Sequence, residues 1–165
     1  MPKNKLERTI NKVEIFEDIL QKISSLSTSS TLKVAAIAFR YDFKNIAAFG
    51  YNGSYKGADI NEETGTEEES LEPGRSGFVH AEMNMIAKFR EQDPNNYVIF
   101  LSYSPCTVCA KLLINADFKY VYWKNQYRET AHLDKYFKNN LIGYGKIEDL
   151  KNSKELLQKT FRFFE

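Results

Sequence analysis

The sequence predicts an α/β fold of three layers, α/β/α, around a central mixed sheet of about five strands. Two observations predict it. Short runs rich in β-formers alternate along the chain with amphipathic helical stretches, the pattern of a sheet covered on both faces. The first two runs are separated by a turn of a few residues only, close enough to form a hairpin. A length of 165 residues suits one domain, 1–165, that buries a core without disulfide staples.

The elements follow in order. Leu6, Ile10, Val13, Phe16, Leu20 and Ile23 recur at helical spacing, so residues 5–26 read as an amphipathic helix. Residues 24–31 are a Ser/Thr-rich break. Residues 32–40 are largely apolar and read as a strand buried on both faces. Residues 41–45 make a turn and 46–50 a second strand. Residues 51–78 read as a long loop, and 57–77 carry an acidic insertion with Asp59, Glu62, Glu63, Glu67, Glu68, Glu69 and Glu72. Residues 80–90 place Ala81, Met85, Ile86 and Phe89 on a helical stripe, which Asp93-Pro94-Asn95-Asn96 ends. A strand over 97–103, a helix over 106–116, a strand over 119–123, a helix over 129–139, a short strand near 142–147 and a last helix over 153–164 complete the chain.

Composition narrows the function classes. Hydrophobic residues make up 42% and charged residues 27%, a globular balance, and the net charge of +1 supplies no global field to recruit nucleic acid or an anionic membrane. The N-terminus lacks the apolar core of a signal peptide, and the longest apolar run, 34–39, is too short for a bilayer. A soluble, cytoplasmic protein is expected. Its two cysteines, Cys106 and Cys109, exclude a disulfide framework. They leave three readings: a redox pair, half of a metal site, or two unrelated buried thiols.

The chemistry concentrates at two helix starts, Val79-His80-Ala81-Glu82 and Ser104-Pro105-Cys106-Thr107-Val108-Cys109. One imidazole and two thiolates form a donor set that suits Zn²⁺. Cysteines three apart at a helix start lie about one turn apart, and the helix N-terminus favours the thiolate a metal needs. Three protein ligands leave a position for water, as in catalytic rather than structural zinc sites. Glu82, two residues from His80, is placed to handle protons without ligating. Each piece alone is bland: a surface histidine, a redox pair, a solvated helix carboxylate. H-x-E followed by P-C-x-x-C, in this order, is the signature of zinc deaminases of nucleobases. Redox C-x-x-C pairs also place their proline elsewhere. His132, the second histidine, reads as a surface residue on a late helix.

Residues 32–127 resemble the deoxycytidylate (dCMP) deaminases of the cytidine-deaminase superfamily. The resemblance is carried by Lys33-Val34-Ala35-Ala36-Ile37, by Gly50-Tyr51-Asn52-Gly53, by His80-Ala81-Glu82-Met83-Asn84-Met85-Ile86, and by Ser104-Pro105-Cys106-x-x-Cys109-Ala110-Lys111 followed by Val121-Tyr122. It implies the cytidine-deaminase-like version of the fold, a zinc ion on His80, Cys106 and Cys109, Glu82 as the catalytic proton carrier, and hydrolysis of dCMP to dUMP and ammonia. It further implies substrate contacts from Asn52 to the sugar, from Ala81, from the Ser104 carbonyl to the exocyclic amine, and from Tyr127 against the nucleotide. By resemblance only, a homo-oligomer is expected. Taken by itself, Asn52-Gly53 between strands is a hairpin-turn signal with both residues at positive φ, a geometry that would also present the Asn52 side chain.

Some dCMP deaminases hold a second, structural zinc on extra Cys and His residues before the His-Ala-Glu helix. Residues 57–77 contain neither, so one zinc is expected. The acidic run there leaves phosphate recognition open, with Arg75 a counter-charge candidate. Other readings remain: a deaminase of dCTP, cytidine or tRNA adenosine, or a non-catalytic zinc module. An RNA enzyme would call for a basic face, which the net charge does not suggest, so a small-molecule nucleotide is the expected partner and nucleic acid is not. Glu82 beside an open ligand position argues against a purely structural site.

Overall fold

The computed structural model describes residues 4–29, 32–58, 77–127 and 130–163. The acidic loop expected at 57–77 and the candidate Arg75 fall almost wholly outside them. The elements are α1 (Lys5–Ser24), β1 (Ala35–Arg40), β2 (Ile46–Tyr51), α2 (Ala81–Lys88), a 3-10 turn (Pro94–Asn96), β3 (Tyr97–Tyr103), α3 (Thr107–Asn115), β4 (Tyr120–Asn125), α4 (Ala131–Phe137), β5 (Gly143–Lys146), α5 (Ile147–Lys151) and α6 (Lys154–Phe161). Helix starts follow capping chemistry: Asn4 accepts the Glu7 N–H at 2.8 Å, and Ser153 accepts the Leu156 N–H at 3.2 Å.

The strands form one five-stranded mixed sheet in the order β2-β1-β3-β4-β5. β1 pairs antiparallel with both β2 and β3, while β3, β4 and β5 run parallel. Two apolar layers sandwich the sheet. On one face, Ala36, Ala38, Ala48, Ile99, Leu101, Val121 and Trp123 pack against Ala81 and Met85 of α2, Ala110 and Leu113 of α3, and Leu133 and Phe137 of α4. On the other, Ile37, Phe39, Val98, Phe100 and Tyr122 pack against Val13 and Leu20 of α1, Ile147 and Leu150 of α5, and Leu157 and Phe161 of α6. β1 and β3 are therefore buried on both sides, which is why neither alternates polar with apolar residues. Among the described residues, no helix is long and apolar enough to cross a membrane.

Several boundaries differ from the sequence expectation for identifiable reasons. β1 begins at Ala35 rather than at 32, because the backbone of Leu32 and Val34 bonds to the Asn52 side chain instead of extending the ladder. The Asn52-Gly53 pair is not a positive-φ hairpin turn: neither residue has positive φ, and the true hairpin turn is 41–45, where Phe43 has φ 63. Tyr51 ends β2, and Gly53 makes a bridge to Val79. The local turn signal is overridden by these tertiary hydrogen bonds. The last helix stops at Phe161, where Arg162 takes a left-handed cap at φ 54. The short α5 was not expected from the sequence.

β2 and α2 approach so closely that only glycine fits at position 50. A Cβ there would meet the Ala81 carbonyl oxygen and, at 2.5 Å, the Met85 nitrogen, both of them helix backbone. Gly50→Ala is expected to destabilise the protein by about 1–3 kcal/mol, as overpacking does. It also displaces the helix start that carries His80 and Glu82. Thermal denaturation checks the first effect; zinc affinity checks the second. Unchanged values for both would show that the helix is free to back away.

Candidate active site

Both motif segments sit at the first turn of a helix. His80 is the N-cap of α2 (φ −68, ψ 152), and Cys106 is the N-cap of α3 (φ −69, ψ 170). The chain delivers His80 there because Val79 exchanges two backbone bonds with Gly53, Gly53 N–H to Val79 O at 3.2 Å and Val79 N–H to Gly53 O at 2.7 Å. Asn84, one turn into α2, donates from Nδ2 to the Tyr51 carbonyl at 2.9 Å. The end of β2 and the residues after it are thus bonded to the chain on both sides of the histidine. The Cys106 segment leaves the carboxyl end of β3, the usual place for a ligand site beside parallel strands. Ser104 N–H donates to Asn125 O at 2.9 Å, and Ser104 Oγ accepts the Tyr127 N–H at 2.8 Å and donates to its carbonyl at 3.2 Å. Asn125 Nδ2 donates to the Ser102 carbonyl at 3.1 Å, so the carboxyl ends of β3 and β4 are tied together.

The ligand atoms of His80, Cys106 and Cys109 all lie within 4.8 Å of one another. His80 Nδ1 is 3.6 Å from Cys106 Sγ and 3.3 Å from Cys109 Sγ. A tetrahedral Zn²⁺ with ordinary bond lengths holds nitrogen and sulfur donors about 3.6 Å apart. Spacing and donor chemistry therefore both fit one zinc ion with three protein ligands. Cys109 is buried, and His80 and Cys106 are partly exposed.

The electrostatics suit a cation. A hydrogen bond from the Cys109 thiol, helped by His80 and by the Cys109 N–H at the helix start, holds the Cys106 thiol down at about 4. The Cys109 thiol is raised, chiefly because it donates to Cys106. His80 is raised by its hydrogen bond to Cys106. Glu82 is only 4% exposed. Burial, reinforced by the Cys106 charge, pushes its carboxyl up to about 7. A carboxyl poised near neutrality takes up and returns a proton with little driving force lost in either direction.

The other expected site residues take specific places. Ala81, fully buried, opens α2 beside His80. Ser104 is buried at 4% exposure and locked to Tyr127, whose ring lies 6.1 Å from that of Tyr103. Asn52 lies just past β2, next to the Gly53 bridge, with its side chain engaged by Ser27, Leu32 and Val34. His132 is half-buried rather than a free surface residue: its Nε2 lies 3.4 Å from the Pro105 carbonyl, against the back of the cysteine segment. Ser27, Ser102 and Asn125, which motif reading passes over, and Asn84, which it quotes without a role, hold the segments around the cluster. No local signal marks them, since their partners are 23 to 67 residues away.

Two expectations follow. The purified protein carries one zinc per chain by elemental analysis, and Cys106→Ser lowers that content and the melting temperature together; full zinc retention would refute the ligand set. In the metal-free protein, Glu82 has its folded value raised from 4.5 to about 7. Its stabilising contribution is fully present below about pH 4.5 and is lost as pH rises through about 7. The stability of wild type minus that of Glu82→Gln, from denaturant melts at several pH values, is expected to fall across that window. A difference that grows with pH would show the carboxyl to be stabilised as its anion.

Comparison with known proteins agrees with this geometry. Residues 11–125 match the family described as the cytidine and deoxycytidylate deaminase zinc-binding region. ComE operon protein 2 of Bacillus subtilis (strain 168) is 29% identical over 138 residues, covering 79% of this chain and 71% of that protein. The crystal structure of the cyanophage S-TIM5 dCMP deaminase in complex with dCMP and dUMP has a TM-score of 0.62 at 26% identity, covering 81% of this chain and 96% of that one. The deaminase/reductase tm1828 of Thermotoga maritima shares the fold, with a TM-score of 0.59 at 17% identity over 93% of this chain and 42% of that one. With one His/Cys/Cys zinc site beside a buried carboxyl, the chain belongs to the cytidine and deoxycytidylate deaminase zinc-binding family, as a zinc-dependent hydrolase that deaminates a nucleobase.

Proposed function

We propose that the substrate is dCMP, converted with water to dUMP and ammonia. The observation that carries this is the combination of the His80/Cys106/Cys109/Glu82 cluster with a chain matched over most of its length by a dCMP deaminase that binds dCMP and dUMP. Bound by the three donors, Zn²⁺ supplies Lewis acidity that makes water nucleophilic at neutral pH. Glu82 accepts a proton from the attacking water and transfers it to N3 of the cytosine ring as the new C–O bond forms at C4. It then takes the remaining proton from the new C4 hydroxyl and gives it to the amine, and the C4–N bond breaks with loss of ammonia as the C4 carbonyl forms. Burial pushes this carboxyl up, which favours its holding the proton between the two transfers. His80, Cys106 and Cys109 are placed by two helix starts, so the reacting base is met by fixed groups rather than mobile loops.

The resemblance to dCMP deaminases supplies the substrate contacts of this proposal. Asn52 reaches the sugar with the one Nδ2 hydrogen that its local partners leave over. Ala81 packs beside the ring at the start of α2. The Ser104 carbonyl accepts from the exocyclic amine, and Tyr127, held by Ser104, lies along the nucleotide. Ammonia release from dCMP, dCTP, CMP, cytidine, deoxycytidine and short RNA tests the assignment. The highest kcat/KM is expected for dCMP; a higher value for RNA or a free nucleoside would overturn it. Glu82→Ala is expected to keep its zinc while losing at least about a hundredfold in turnover. Wild-type turnover in that variant would remove Glu82 from the proton path.

A further inference from the structure

The linker between α1 and β1 contains serines that are not solvated. Ser27 and Ser29 are each 3% exposed, although short polar linker residues are mostly exposed. The Ser27 hydroxyl lies 2.7 Å from Asn52 Oδ1 and 2.9 Å from the Asn52 carbonyl oxygen, two acceptors that share its single proton. Its oxygen accepts the Ser29 N–H at 3.2 Å. Asn52 Oδ1 also accepts the Val34 N–H at 2.8 Å, and Nδ2 donates to the Leu32 carbonyl at 2.8 Å. Asn52 N–H donates in turn to the Val34 carbonyl at 3.1 Å.

These partners determine which way the amide faces. A backbone N–H only donates and a backbone carbonyl only accepts, so Oδ1 must face Val34 and Nδ2 must face Leu32. Oδ1 then accepts the Val34 N–H and the hydroxyl proton that Ser27 shares between it and the Asn52 carbonyl. One Nδ2 hydrogen has no partner among the described residues. It is a donor held in a fixed direction, on a half-buried residue whose neighbour Gly53 is bonded to Val79, next to His80. Without Ser27, Oδ1 keeps the Val34 N–H, and the one hydroxyl proton that both Asn52 oxygens share is lost.

We propose that Ser27 is a positioning residue for substrate recognition, holding the Asn52 amide so that its remaining N–H meets an acceptor oxygen on the sugar of the nucleotide. The inference rests on the assignment of Asn52 to the sugar made above. A donor fixed before binding loses no rotamer freedom when the ligand arrives, so the benefit is in affinity. Because the sugar takes no part in bond making, this contact is equal in ground and transition states and acts on KM rather than kcat.

The test is a double-mutant cycle on the zinc-loaded enzyme with Ser27→Ala, Asn52→Ala and the pair. Binding of dUMP is measured by calorimetry, and kcat and KM are measured on dCMP. Ser27→Ala is expected to weaken dUMP binding and raise KM by about five- to tenfold, with kcat within about twofold. In the Asn52→Ala background it is expected to add nothing. Ser27→Thr, which keeps the hydroxyl, is expected to bind dUMP as wild type does. Equal effects of Ser27→Ala in both backgrounds, or a lower melting temperature with KM unchanged, would overturn the proposal and leave Ser27 as a staple of the linker. A wild-type enzyme that neither binds dUMP nor turns over dCMP would instead overturn the nucleotide assignment itself. One that does both, while Ser27→Ala matches it, would remove only the role of Ser27.

Discussion

The contact between β2 and α2 at Gly50 sets the position of everything chemical in this protein. A strand and a helix normally keep side chains between them. Here the glycine lets the first turn of the helix rest directly on the strand, with no room for a Cβ between them. Small residues extend the close fit, with Ala36, Ala38, Ala48 and Ala81 all buried in the same layer. Two further links, Asn84 to Tyr51 and Val79 to Gly53, fix the helix along the strand as well as above it. His80 and Glu82 therefore inherit their places from backbone geometry. Cys106 and Cys109 inherit theirs from the carboxyl end of β3, and the hydrogen-bonded sheet transmits one placement to the other.

The cluster so assembled is a donor set that could hold a cation. Two thiols, an imidazole and a carboxyl are brought together with little solvent. In the protein alone, one proton is shared between the sulfurs, which drives Cys106 down and Cys109 up, and Glu82 is held toward its neutral form by burial. A divalent ion removes the need for that shared proton by pairing with both sulfurs. Glu82, close by but not a ligand, then has charge on both sides of its balance: burial favours the acid, and the cation favours the carboxylate. A group caught between these two pulls is suited to accept a proton and then give it back.

The sequence carried the framework and the metal donors well, because both are written locally. Helical periodicity in α1, the β-rich run 97–103 and the two helix starts are all visible within a window of about ten residues. The spacing of Cys106 and Cys109 needs only one helical turn to interpret. The long-range fastenings left no such trace. Asn52-Gly53 carries a strong local turn signal, yet the chain there neither turns nor takes positive φ, since the Asn52 side chain finds partners at Ser27, Leu32 and Val34. The same bonds shorten β1 at its start. His132 looked like an ordinary surface residue because nothing near it in sequence reveals that α4 packs behind Pro105.

This division between local and long-range information also separates two levels of function. The metal donors and Glu82 lie in the first turns of two helices, and a fold that keeps those turns in register keeps the hydrolytic chemistry whatever base is presented to it. On the function proposed above, choice among bases and sugars falls to segments outside the regular elements: Ser27 and Ser29 of the linker before β1, the Asn52-Gly53 exit from β2, and the Ser104–Tyr127 clasp at the ends of β3 and β4. Each of these is held by side-chain bonds to backbone groups rather than by burial of apolar surface. Such bonds are directional and individually modest, so a single exchange in a linker can reorient a donor without disturbing the core. The sheet and its glycine contact thus preserve the reaction, while substrate choice can change through a few polar residues that the core does not depend on.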